Sequence, residues 1–266
     1  IISVISLEEI KFLIHINSRG YIEDNLIMNG TYDLVIPKIA DYFIKKNSLI
    51  IDVGANLGFY SLYFARKYPD CMVYGYEPVS YIYNSFLRSK DLNELSNLYP
   101  CNMAVGANHE ELDIYAATQE TYNKGTSSIK NNHDINETFS LEKINVVPLN
   151  NHLKETKQVS FIKIDVQGFE KDVFEGAWEL IKRDRPAIIF EHLDSYYESP
   201  KKIRDDIAEK FEELKYNIYC IRAGQLISRY CFLEAFDFSK SGLVAEDLLA
   251  ISQTESIPAN FSMHKS

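Results

Sequence analysis

The chain has 266 residues, of which 46% are hydrophobic and 25% charged, enough apolar material for one sizeable core. Its formal net charge of −10 argues against a phosphate-tracking surface, so nucleic acid is not an expected partner. The four cysteines, Cys71, Cys101, Cys220 and Cys231, contain no CxxC pair, which points away from a zinc site or a disulfide framework; no apolar run approaches the roughly 20 residues of a membrane helix, and a cytoplasmic protein without a membrane contact is expected.

Apolar residues at helical spacing over 7–16 and 33–46, with Asp33 as a candidate N-cap and Pro37 in the first turn, predict a helical lead-in that would form a cap over residues 1–47. From residue 48 to 266 the pattern changes. Apolar runs of strand length at 49–53, 71–77, 98–105, 159–165, 186–191 and 216–221 alternate with helix-like stretches, including 59–67. This alternation predicts an α/β domain with a mostly parallel, doubly wound sheet. Residues 112–115 alternate as a further strand, the polar stretch 118–140 reads as a loop over the strand ends, and Ile218–Ile221 and Tyr230–Glu234 around Ala223-Gly224-Gln225 predict an antiparallel hairpin at the sheet edge.

Ligands of such sheets bind beyond the carboxyl ends of the strands, so the residues there form the candidate site. Asp52 ends the first strand of the α/β unit, and Gly54, Ala55, Asn56 and Gly58 form the turn that follows it. Glu77, before Pro78, ends the next strand, where a carboxylate accepts ribose hydroxyls. Asn102 and Met103 follow the third strand and could meet an adenine edge and face. Asp165 ends the fourth strand, and Glu191 and His192 the fifth. Asn56 stands where the dinucleotide fingerprint has its second glycine, which disfavours a pyrophosphate, while an acidic Asp52 favours a cationic ligand. S-adenosyl-L-methionine satisfies both conditions. For methyl transfer to an oxygen, Asp165 is the first candidate for proton removal or acceptor positioning, with Glu191 and His192 next; no metal-ligand set is expected.

The blocks Asp52-Val53-Gly54-Ala55-Asn56-Leu57-Gly58-Phe59-Tyr60-Ser61, Tyr76-Glu77-Pro78, Asn102 to Gly106, Ile162 to Glu170 and Pro186 to Glu191 resemble, in order, those of FkbM-type S-adenosylmethionine-dependent methyltransferases. The resemblance implies the Rossmann-like class I methyltransferase fold and methylation of hydroxyl groups on a sugar, a glycan or a secondary metabolite. It further implies that Asp52, Gly54, Asn56 and Gly58 line the methionine end, with Tyr60 and Ser61 in the same block, that Glu77 holds the ribose, and that Asn102 lies near the adenine. Ser127 and Ser128 resemble a small-hydroxyl loop near the cofactor. Two departures stand out: Gln167 replaces the family's usual Glu, and Asn150 stands where Asp is common.

Two rivals use the same sheet. An NAD(P)-dependent Rossmann oxidoreductase would use a Tyr-x-x-x-Lys pair, but the three matches, Tyr42/Lys46, Tyr63/Lys67 and Tyr197/Lys201, precede the glycine turn, follow it directly, or enclose Pro200. A non-catalytic domain that only binds the cofactor is the second rival, kept open by Gln167 and Asn150. A nucleic-acid methyltransferase would need an Asp/Asn-Pro-Pro-aromatic block, which Asp165-Val166-Gln167-Gly168 is not.

Overall fold

The computed structural model describes residues 1–7, 9–32, 34–129, 138–153, 157–223, 231–238, 245–257 and 261. The chain opens on a two-stranded antiparallel hairpin, β1 (Ile2–Leu7) and β2 (Ile10–His15), followed by the helices α1 (Tyr21–Asn29) and α2 (Val35–Phe43). The hairpin replaces the helix expected over 7–16. Ile5, Leu7, Phe12, Ile14 and Ile16 are buried at strand periodicity, and β-branched isoleucines favour the pleated form. The outer backbone of β2 is satisfied from a later helix: the Leu13 and His15 N–H groups donate to Asn93 Oδ1 and Ser89 Oγ, each at 2.8 Å. Pro37 lies in the first turn of α2, as expected; the proposed cap residue Asp33 lies outside the described residues.

The α/β unit begins at β3 (Leu49–Val53), buried at every position, and continues through α3 (Phe59–Lys67), β4 (Met72–Tyr76), α4 (Ser80–Leu92) and β5 (Leu98–Cys101). The single strand expected over 98–105 divides here, because Ala104–Val105 leaves the main sheet as β6 and joins β7 (Glu110–Ala117) and β8 (Phe139–Val147) in a three-stranded sheet. Of the expected 118–140 loop, Lys124–Thr126 forms a 3-10 turn, Phe139 and Ser140 already belong to β8, and 130–137 lie outside the described residues. A short α5 (Leu149–His152) leads into β9 (Val159–Ile164), α6 (Glu170–Glu175), α7 (Trp178–Asp184), β10 (Ala187–Leu193), a 3-10 turn at Asp194–Tyr196, and α8 (Pro200–Glu213). Three strands, β11 (Tyr216–Ala223), β12 (Cys231–Ala235) and β13 (Ala245–Ser252), complete the described elements.

The main sheet has the order β12-β11-β13-β10-β9-β3-β4-β5. The run from β10 to β5 is parallel, and the order reverses beside β3, where β9 lies on one side and β4 on the other. That reversal creates a crevice beyond the carboxyl ends of β3 and β9. The edge hairpin β11–β12 is present, but β13 is inserted antiparallel between β10 and β11, a position the sequence reading did not foresee. Two apolar layers flank the sheet, one containing Phe64, Phe86 and Phe161, the other containing Phe174, Trp178, Phe190 and Phe211. In the second layer Phe174 lies parallel to Trp178 at 5.0 Å and edge-on to Phe211 at 5.3 Å, favoured aromatic geometries. No helix among the described residues is long and apolar enough to cross a membrane.

Candidate active site at the carboxyl ends of the central strands

A cavity of about 310 Å³ lies beyond the ends of β3, β4, β9 and β10, within the size range of small-molecule sites. Its floor comes from the strand ends. Its roof comes from Tyr21, Ile22 and Tyr32 of the N-terminal segment and from Asn123 to Ser127. The two roof segments are joined by the Tyr21 N–H, which donates to the Tyr122 carbonyl at 2.7 Å, and by a buried ion pair between Lys124 and Glu23 at 3.1 Å.

The turn after β3 is shaped by backbone chemistry. Gly54 has φ +78°, and a Cβ there would lie 1.9 Å from the Asp165 carbonyl oxygen, so only glycine lets β3 and β9 end side by side at the floor. Asn56 also adopts a left-handed conformation, φ +52°, which asparagine tolerates better than most residues. Its N–H donates to Glu77 Oε2 at 3.0 Å, and the Val79 N–H donates to Glu77 Oε1 at 2.9 Å. Glu77 is therefore gripped on both oxygens, and burial still pushes its carboxyl up to about 7, against these two donors. Carboxylate oxygens have further lone pairs, so the remaining acceptor sites of Glu77 suit a vicinal diol.

The other end of the cavity is a charged cluster. Lys163 points from β9 along the same face as Asp165, two residues on. Its Nζ lies 3.3 Å from Asp165 Oδ2 and 3.7 Å from Asp52 Oδ1, and 5.0 Å from the centroid of the Tyr60 ring. Burial works against the charge on Lys163, but the carboxylates of Asp165, Asp52 and Asp247 outweigh it and hold the ammonium above the usual lysine range. Asp52 is fully buried, which raises its carboxyl against the opposing pull of Lys163; Ser61 Oγ donates to its Oδ2 at 2.7 Å, while Oδ1 has no hydrogen bond. Glu191, on β10, is pushed up to about 8, first by burial and then by Asp165, Asp247 and Glu170, with Lys163 pulling the other way. The Gln167 side chain lies between the acids, its Nε2 donating to Asp165 Oδ1 at 3.0 Å and to Glu191 Oε2 at 2.9 Å.

The structure thus brings together Gly54, Ala55, Asn56, Tyr60, Glu77, Pro78, Ser127, Asp165 and Glu191 at one cavity. Other residues proposed from sequence lie elsewhere. Strand alternation turns His192 to the opposite face from Glu191, where it is wholly buried, parallel to Tyr197 at 5.2 Å and paired with Asp194 at 3.1 Å; desolvation lowers its pKa, and it is not at the rim. Gly58 has φ +84° and makes room for Phe86, which a Cβ would meet at 2.1 Å, rather than lining the cavity. Asp52 and Ser61 lie beneath the floor. Asn102 donates its amide to the carbonyls of Glu77 and Pro78 at 3.0 and 2.9 Å, so it braces the Glu77 loop; Met103, half-buried, packs against the core, and Ala104 and Val105 take the cavity wall instead. Ser128 Oγ donates to the Gln167 carbonyl at 3.1 Å.

Sequence reasoning did not single out Lys163, Tyr196, Lys124 or the roof tyrosines. For Lys163 a signal existed: a lysine inside a mostly apolar strand, two residues before a strand-end Asp, shares its face. Among the described residues no group of three or more His, Cys, Asp or Glu side chains is placed to hold a metal ion.

A nucleoside carrying a cationic tail fits these residues. The Gly54 floor admits close approach, Glu77 offers a diol acceptor at one end, and the carboxyl groups of Asp165 and Glu191 line the other, above the buried Asp52. Comparison with known proteins agrees in kind. A family model described as the Methyltransferase FkbM domain matches residues 52–218, more than half of the chain. "Methyltransferase 1" of Beauveria bassiana is 29% identical over 155 residues, 51% of this chain and 62% of that protein, so this match spans less than two thirds of its length. "Methyltransferase sdnD" of Sordaria araneosa is 24% identical over 211 residues, covering 68% of this chain and 78% of that one. Among solved structures, a methyltransferase FkbM from Methylobacillus flagellatus KT superposes with a TM-score of 0.49 at 16% identity, covering 79% of this chain and 45% of that one, a likeness too distant to bear on the site.

Proposed function

The chain belongs to the FkbM methyltransferase family, whose methyl donor is S-adenosylmethionine, and from that premise we propose that it methylates a hydroxyl group on a carbohydrate-like or secondary-metabolite acceptor. The observation that carries the oxygen-acceptor reading is the pair Asp165 and Glu191 on the floor of one cavity, at the end opposite Glu77. A hydroxyl is a weak nucleophile until a base takes its proton, and a carboxylate tuned toward neutrality is suited to that task.

In this reading Glu77 receives the ribose hydroxyls, and Asn56, Val79 and Asn102 hold its carboxylate and loop in place. Ala104 and Val105 offer the apolar wall for a base. Asp52 and Asp165 place carboxyl groups near the cationic end, and Lys163, 4% exposed, lies between them at 3.7 and 3.3 Å. When bound, the cofactor supplies an electrophilic methyl group on a sulfonium, which leaves as a neutral thioether. As the acceptor oxygen gains the methyl carbon, its proton passes to a carboxylate oxygen of Glu191 or Asp165. Tyr21 and Tyr32, edge-on to each other at 6.4 Å in the roof, offer faces against which an acceptor ring can pack. The N-terminal segment thereby acts as a cap over residues 1–47, although one built on a hairpin as well as helices.

The test is an acceptor screen with methyl-labelled S-adenosylmethionine across sugars, glycans and hydroxylated small molecules. Label in a base-stable ether that disappears in Asp165→Ala and Glu191→Gln supports the proposal. Transfer only to amines, or full transfer by both variants, overturns it.

A further inference from the structure

Gln167 occupies an unusual place between two acids. It sits in a left-handed turn, φ +53°, directly before Gly168, and three contacts fix that turn: Ser128 Oγ donates to the Gln167 carbonyl at 3.1 Å, the Gly168 N–H donates to Glu170 Oε1 at 3.1 Å, and Tyr197 donates its hydroxyl to Glu170 Oε2. Its side chain is fixed as well. Tyr196 donates its hydroxyl to Gln167 Oε1 at 2.5 Å, which leaves the two amide hydrogens for Asp165 Oδ1 at 3.0 Å and Glu191 Oε2 at 2.9 Å. The opposite amide orientation would set its carbonyl oxygen against two carboxylates, so the flip state follows from the chemistry. Burial pushes the Tyr196 phenol up to about 12, so it remains a donor through the neutral range.

We infer that Gln167, with its amide orientation locked by Tyr196, is the positioning residue that holds Asp165 and Glu191 together as one proton-accepting pair facing the acceptor. The inference rests on the methyl-transfer reading for its purpose, though not for its geometry. A neutral bridge does what a third acid would not. It offers one hydrogen to each carboxylate, sets the spacing of the pair, and adds no negative charge to a place that already receives the fields of Lys163 from β9, Asp165 just beyond that strand, Asp247 from β13 and Glu170 from α6. Gln167→Glu would convert the bridge into a third acid facing two, and Gln167→Leu would remove both donors while keeping the bulk.

The experiment is a 13C NMR titration of side-chain-labelled glutamates in the ligand-free protein, with the Glu191 signal assigned by its loss in Glu191→Gln. In the wild type the Glu191 signal is expected to titrate well above the ordinary carboxylate range, pushed up to about 8 by burial and the neighbouring acids. Removing one donor to the ionised form in Gln167→Leu raises that midpoint by about one pH unit, Gln167→Glu raises it further, and Tyr196→Phe raises it by a smaller amount. Tyr196→Phe leaves the turn residues intact and keeps the test open if a Gln167 variant fails to fold. An unmoved Glu191 midpoint in the variants that fold, with melting temperature alone lowered, overturns the inference and reduces Gln167 to a structural turn residue. Calorimetry with S-adenosylhomocysteine on the same wild-type samples separates the two failures: binding with an unmoved midpoint overturns the bridge alone, whereas absent binding overturns the methyl-transfer reading and leaves the bridge to be decided by the titration.

Discussion

Replacing Lys163 by Met tests whether the buried charge cluster is held together as the geometry requires. Met is unbranched and fills similar space, so the change removes the ammonium with little loss of packing. Lys163 Nζ lies 3.7 Å from Asp52 Oδ1, and their side chains are 4% and 0% exposed. At an effective dielectric of about 20, that separation corresponds to roughly 4.5 kcal/mol of attraction, within the range of about 3–5 kcal/mol observed when one partner of a buried pair is deleted. The contact with Asp165 adds little, because that carboxylate is 42% exposed and solvent screens it. K163M is therefore expected to lose about 3–5 kcal/mol in urea unfolding at pH 8. The sign of its pH dependence follows from Asp52, whose folded pKa is already raised by burial and rises further without Lys163. A carboxyl raised above its unfolded value penalises the fold fully above the folded pKa, and the penalty shrinks as pH falls from there toward the unfolded value, so the deficit against wild type is smaller at pH 5. Adding Asp52→Asn removes the stranded charge and restores part of the loss at pH 8. A deficit below about 1 kcal/mol, a deficit independent of pH, or no recovery in the double variant would show that Lys163 does not hold the Asp52 charge in the fold.

Gly54→Ala places a methyl group against the Asp165 carbonyl at a positive φ, and is expected to lower the melting temperature and abolish the thermal shift that S-adenosylhomocysteine gives the wild type. With the Glu77 carboxyl pushed up to about 7 in the free protein, protonation below that pH removes the diol acceptor, so calorimetric affinity for S-adenosylhomocysteine should weaken about tenfold per unit between pH 6.5 and 5, a slope that Glu77→Gln flattens. The same raised pKa makes Glu77 a stability cost that grows as pH climbs from about 4.5 to 7, measurable as higher urea resistance of the ligand-free protein near pH 5 than Glu77→Gln shows relative to its own value at pH 7. His192→Phe should leave cofactor affinity within about threefold of wild type while costing about 1–3 kcal/mol of stability, since Asp194 loses a buried partner.

The strands that build the floor are legible because parallel strands buried on both faces read as nearly unbroken apolar runs, as Leu49–Val53 and Val159–Ile164 do apart from Asp52, Ser160 and Lys163. Positions in the Asp52–Gly58 turn and Glu77 followed from the rule that ligands meet strand ends. The N-terminal hairpin escapes a local reading because Ile10, Leu13 and Ile14 satisfy helical spacing while Ile10, Phe12 and Ile14 satisfy strand alternation over the same short segment. The insertion of β13 between β10 and β11 depends on pairings far apart in the chain, and no local pattern encodes them. His192 and Glu191 differ by one residue, and strand parity alone decides which one faces the cavity; with the strand register known only to within a residue, that parity was not available. Asn102 was read as a ligand contact because of where it falls, but its amide is spent on two backbone carbonyls, a partnership only tertiary structure reveals. Gln167 looked like a loss relative to the family pattern, and the structure gives it three specific hydrogen bonds through its side chain.

Whether the cavity between Glu77 and the Asp165–Glu191 pair receives S-adenosylmethionine is decided by isothermal titration of the wild-type chain with S-adenosylhomocysteine and, separately, with NAD at pH 8. One-to-one binding of S-adenosylhomocysteine, lost in Gly54→Ala, with no heat from NAD is expected; saturable binding of NAD with none of S-adenosylhomocysteine would show that the cavity serves another cofactor.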